Sequence, residues 1–125
     1  MITEASFIPI TPKKIPENFF SLIDQLSDTS KYLIYRVDVM DFSSEHWNKT
    51  KEIYETKGGQ VILNSRLKDI ISNHECLHLT SSDLTETNEL SSSLTGASCH
   101  NKNEVIKAAQ LNLDYIFISP IKNVA

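Results

Sequence analysis

The order of apolar runs in this sequence predicts an α/β fold built on a parallel sheet. Three observations carry that expectation. Short apolar runs alternate with longer amphipathic stretches along the chain, and the alternation is clearest over residues 94–121, which read as strand, helix, strand. The runs 32–37 and 115–119 are nearly continuous in aromatic and branched residues, as strands buried on both faces require. Polar residues stand where these runs stop. Parallel neighbours need right-handed crossovers, and both an open doubly wound sheet and a closed (βα) barrel satisfy that order.

Taken in order, residues 7–10 form a first short strand, with Pro12 and Pro16 in the loop after it. Residues 17–26 predict a helix whose stripe is Phe19, Phe20, Leu22, Ile23 and Leu26. After the polar break 27–30 comes the second strand, 32–37. Ser43 or Ser44 can cap a helix running to Lys57, which Gly58 and Gly59 end. Residues 60–63 are the third strand, 66–72 a short helix and 76–79 the fourth strand. Residues 85–93, with serines at 91, 92 and 93, read as a loop or irregular helix. The fifth strand, 94–98, ends in Ser98, Cys99 and His100. Asn101 can cap the next helix with Glu104 three positions on, and Val105, Ile106, Ala109 and Leu113 share a face. Asp114 turns the chain into the sixth strand, 115–119.

A chain of 125 residues holds one core, so residues 1–125 are expected to be a single domain. Apolar residues make up 40 % and charged residues 22 %, which excludes the disordered class. A net charge of −4 offers no basic stripe, so nucleic acid is not an expected partner. The opening residues lack a basic region leading into an apolar block, and no run reaches the ~20 apolar residues of a membrane helix. A cytoplasmic protein without a membrane partner is expected. Cys76 and Cys99, both in apolar strand contexts, are expected to be reduced core thiols.

Several short motifs also carry a resemblance. Ser98-Cys99-His100, the helix pattern E-x-x-x-A from Glu104, and Asp114-Tyr115 followed by Pro120-Ile121 resemble the second half of the thiamine phosphate synthase/TenI family. Residues 76–83, CLHLTSSD, are similar to that family's fourth strand and following loop. Residues 61–64 resemble its third strand, 34–36 a strand ending in Arg, and 7–12 its opening strand. The motifs keep the family's order over almost the whole chain. The S-C-H form is closest to the TenI-like domain fused to some Nudix hydrolases. The resemblance implies a TIM barrel, here shortened to about six strands.

It also implies a site at the carboxyl ends of those strands. Thiamine phosphate synthases displace pyrophosphate from a pyrimidine and join the carbon to a thiazole phosphate, which calls for fixed positive charge and hard oxygen ligands for Mg²⁺. By resemblance Arg36, Asn64, Ser98 and Ser119 would bind substrate or phosphate, Asp83 would bind metal, and His100 with Ser98 would be catalytic. An imidazole, with an ordinary pKa of about 6.5, suits the proton transfer of TenI-type tautomerases. The family's pattern is broken at Asp38, where a basic residue is expected, and at Ser65, where a second metal-binding acid is expected. Mg²⁺ binding should therefore be weak. Plainer readings stand beside these: Arg36 as an ion-pair partner of Asp38, Asn64 as a turn cap, His78 as a satisfied core histidine, His100 as an exposed helix-start residue, and Trp47 with Tyr54 as helix-to-sheet packing.

The function expected is a thiamine phosphate synthase/TenI-like domain, with catalysis impaired, that takes a small phosphorylated heterocycle. The alternative is a non-catalytic binding or interaction module derived from the C-terminal domain of a Nudix fusion. An open flavodoxin-like regulator would need clustered acids at strand ends, which are scattered here. A six-stranded partial barrel would leave strand edges and an apolar inner face open, so a homodimer is expected.

Overall fold

Period-two alternation in the strands, against the 3.6-residue period of the helices between them, sorts the side chains into two layers around one sheet. The structure, a computed structural model, describes residues 8–71, 74–90 and 93–118. Its elements are α1 (Phe19–Thr29), β1 (Tyr32–Tyr35), α2 (Ser44–Thr56), β2 (Gln60–Asn64), β3 (Cys76–Leu79), α3 (Ser81–Glu86), β4 (Leu94–Cys99), α4 (Lys102–Gln110) and β5 (Tyr115–Ile118). All neighbouring strands pair in parallel, in the order β1-β2-β3-β4-β5. The expected first strand is reduced to a parallel bridge from Ile10 to Ile34, held by Ile34 N–H to the Pro9 carbonyl and Thr11 N–H to the Ile34 carbonyl.

Strictly sequential order separates the two fold candidates. A doubly wound sheet reverses its strand order at a switch point, whereas here each strand adds to the same edge, as in a (βα) barrel. The sheet also curls. Strands about 4.8 Å apart would set the first and last of six roughly 24 Å apart in a flat sheet. Instead Ile8, before β1, and Tyr115 and Phe117, from β5, join one inner cluster with Ile34, Ile62, Cys76 and Leu94. The fold is a curled parallel half-barrel.

The outer face carries the larger core. Leu33, Tyr35 and Val37 of the β1 run and Val61 and Leu63 of β2 pack on Phe19 and Ile23 of α1 and Trp47 and Tyr54 of α2. Farther along, Leu79, Ala97 and Cys99 pack on Leu84 of α3 and Ala108 of α4. Trp47 and Tyr54 therefore do pack helix to sheet, and both cysteines are free and buried. No described helix is long and apolar enough to cross a membrane.

Several local expectations are corrected. Residues 66–72 do not make a helix: a 3₁₀ turn, Ser65–Leu67, follows Asn64, whose side chain accepts the Arg66 N–H and closes the turn early. Ser72 lies outside the described residues. A short helix, α3, stands at Ser81–Glu86, ahead of the polar stretch, because the Thr80 hydroxyl accepts the Asp83 N–H as an N-cap. In α4 the sheet-facing side carries Glu104, Val105 and Ala108, while Ile106 and Ala109 are exposed. Leu22 of α1 is likewise turned outward. The middle of the inner face is not left open to water, since Ile34 and Ile62 are 1 % and 0 % exposed, while Ile10 at its margin is 41 % exposed. Ile118, the last described residue of β5, is 61 % exposed.

Candidate functional site

Strand parity decides which side chains reach the carboxyl ends on the inner side. Ile34 and Ile62 face inward, so Arg36 and Asn64, two residues on, share that direction; Cys76, His78 and Thr80 do the same from β3, and Leu94, Gly96 and Ser98 from β4. Over those ends lies a cavity of about 670 Å³. Arg36, Asn64, Asp83, Ser98 and His100, from separate parts of the chain, all line it. Ser119 lies outside the described residues.

The walls are charged unevenly. Among the described residues Lys13, Arg36, Arg66 and Lys68 face two acids, Asp69 and Asp83. Arg36 does not pair with Asp38, because Lys14 Nζ holds Asp38 Oδ2 at 2.9 Å and Asp41 Oδ2 at 3.5 Å. The Lys14 hydrogen bond holds the Asp38 carboxyl below the usual carboxylate range. The Arg36 backbone is pinned on both sides by Thr11, whose hydroxyl accepts the Arg36 N–H at 2.8 Å and donates to its carbonyl at 3.1 Å. Its guanidinium Nε is buried with no partner among the described residues. A buried donor left unmade costs about 1–3 kcal/mol, more when charged.

At the β2–β3 corner the polar groups are satisfied by one another. Ser65 Oγ donates to Asp83 Oδ2 at 2.5 Å and accepts the Thr80 N–H at 3.0 Å. Lys68 Nζ lies 3.5 Å from Asp83 Oδ1. Both oxygens of the one carboxylate thus face a donor or a cation. Asp83 is thus engaged by Ser65 and Lys68, and among the described residues no three His, Cys, Asp or Glu gather around it.

The start of α4 closes the far wall. Asn101 Oδ1 accepts the Glu104 N–H at 2.9 Å, as its N-cap position predicts. The carboxylate of Glu104 reaches one residue farther back than a capping box, accepting the His100 N–H at 2.7 Å, and it also accepts the Ser81 hydroxyl. The Ser81 bond, followed by the His100 N–H, holds Glu104 below the usual carboxylate range. His100 itself is exposed at the cavity rim.

Beneath the cavity lies a group that the motifs did not single out as functional. His78 is 3 % exposed, as a core histidine should be, with Nδ1 2.8 Å from the Tyr115 hydroxyl and Nε2 2.7 Å from Ser98 Oγ. Burial first, then the charge of Arg36, pushes its pKa down to about 4. Gly96 pairs with both His78 and Tyr115, so the three form one row across the sheet. A Cβ on Gly96 would stand 1.9 Å from Tyr115 Cζ, so this glycine is what admits the tyrosine ring. The signal in the sequence was parity: His78, Gly96 and Tyr115 each stand on the inward set of their strands.

A family model described as thiamine monophosphate synthase matches residues 7–124. No curated protein and no solved structure matches the chain significantly.

Proposed function

From the premise that this chain belongs to the thiamine monophosphate synthase family, we propose that its strand-end cavity binds a small phosphorylated heterocycle and holds the phosphate on protein cations instead of Mg²⁺. The single observation that carries this is Arg36. Its charge faces the cavity, its backbone is fixed by Thr11, its near neighbour in sequence, Asp38, is taken by Lys14, and its Nε has no partner among the described residues. An anion would complete it. Lys13, Arg66 and Lys68 add positive charge around the same space, and guanidinium groups suit phosphate geometry.

Catalysis of the family's joining reaction is impaired in this reading. Stabilising a departing pyrophosphate needs preorganised positive charge where charge develops, and losing a single such donor costs orders of magnitude in rate. Ser65 in place of a second acid removes the metal's share of that charge. The cytoplasm, where phosphorylated precursors are found, is the compartment this reading expects. Calorimetric titration with inorganic pyrophosphate and with a thiazole phosphate, with and without Mg²⁺, tests it. Arg36→Ala should weaken binding by about 1.5–3 kcal/mol, the worth of a hydrogen bond to a charged group. Unchanged affinity would return Arg36 to a structural role and end the proposal.

A homodimer is the second part of the proposal. Among the described residues β5 ends the sheet, and a second copy laid against that edge would pair its backbone groups. Equilibrium sedimentation at micromolar concentration should give twice the mass of the chain, and a monomer there would remove this part.

A further inference from the structure

We propose that Tyr115 and His78 form a hydrogen-bond relay that fixes Ser98 as a hydroxyl donor aimed into the cavity, which makes Tyr115 and His78 positioning residues for whatever anion the cavity holds. The relay rests on the anion reading only for what Ser98 meets; its own direction follows from the protons. Burial keeps His78 neutral near pH 7, since its pKa is pushed down to about 4. A neutral imidazole has one N–H, so two arrangements exist.

In the first, the Tyr115 hydroxyl donates to His78 Nδ1 at 2.8 Å, and His78 Nε2–H donates to Ser98 Oγ at 2.7 Å. Ser98 Oγ then accepts from behind, and its own proton points away from His78, toward the cavity that Ser98 lines. In the second, Ser98 donates to Nε2 and Nδ1–H donates to Tyr115. The phenol proton then needs another acceptor, yet the Tyr115 hydroxyl has no second partner among the described residues. The inner cluster it joins holds Ile8, Tyr32, Ile34, Ile62, Cys76, Leu94 and Phe117, and none of these hydrogen-bonds the Tyr115 hydroxyl among the described residues. A half-buried donor left without a partner costs more than a proton that meets water or ligand at a cavity wall, which favours the first arrangement.

The ring geometry holds the relay in line. Tyr115 stacks on His78 with centroids 5.7 Å apart and planes at 25°, and Phe117 closes against His78 at 5.3 Å. The absence of a Cβ at Gly96 lets the tyrosine ring lie there.

Two measurements test the relay. Nitrogen NMR of histidine-labelled protein near pH 7 reads the tautomer of His78 in the wild-type chain, with no variant to fold. The expected result is a protonated Nε2 and a bare Nδ1; a protonated Nδ1 would overturn the proposal. Inorganic pyrophosphate titration then reads the consequence. Ser98→Ala and His78→Leu should each weaken binding about tenfold, while His78→Gln, whose amide can still donate to Ser98, should stay within about threefold of wild type. Equal loss in both His78 variants would reduce the residue to packing and also overturn it. If the wild-type chain fails to bind pyrophosphate while His78 carries its proton on Nε2, the anion reading falls and the relay stands.

Discussion

The two faces of the same sheet are built by different rules. On the outer face Leu33, Tyr35, Val37, Leu63 and Leu67 meet Trp47 and Tyr54, all 2 % exposed or less, in one apolar cluster whose two tyrosine hydroxyls are satisfied at its margin by His46 and Ser30. Such a layer is held by burial, which is roughly proportional to area and not directional. On the inner face the floor is apolar at Ile34 and Ile62, but one row above it Tyr115, His78 and Ser98 are matched atom to atom. There a single reversed proton leaves an orphan. The outer face supplies most of the stability, and the inner face supplies direction.

The largest test of that contrast is Trp47→Ala. Removing a fully buried tryptophan from the outer layer should lower the unfolding free energy by about 3–5 kcal/mol in urea titration, a large part of a small domain's total. A loss below about 1 kcal/mol would show that the outer layer is not where the stability lies. On the inner face the matching test is pH. The His78 pKa is about 4 when folded, below its ordinary value of 6.5, so the unfolded chain binds more protons between those values. The stability His78 contributes is present above pH 6.5 and lost as pH falls toward 4, up to about 3 kcal/mol in all. His46, held low chiefly by burial, adds in the same direction. Urea unfolding at a series of pH values, for wild type and His78→Gln, separates the two, since the variant should lose the larger share of the slope. Parallel curves would show that His78 is not the titrating group.

The contrast also explains which parts were legible. Outer-face packing is written locally: Trp47 and Tyr54, seven positions apart, mark the α2 stripe without knowledge of any partner. Caps were equally legible, because Ser43 accepting the His46 N–H and Asn101 accepting the Glu104 N–H lie within one turn of chain. The short helix α3 was not, since it has no room for an apolar stripe and is held by one Thr80 cap. The α4 face shifted because Glu104 is tied to Ser81, a bond made across the fold.

The sequence by itself determined the alternation of strand and helix, the need for parallel pairing, and the gathering of polar residues at strand ends, since each follows from periods of 2 and 3.6 within a few residues. Only the tertiary structure decided the partners. Strand order and curl set Ile8 and Phe117 on one inner cluster, Lys14 took Asp38, Ser65 turned its hydroxyl to Asp83, and Gly96 made space in which Tyr115 could reach His78. The physical reason is range: backbone propensity acts along neighbouring residues, whereas a hydrogen bond or ion pair is set by register and curvature between segments that no local pattern relates.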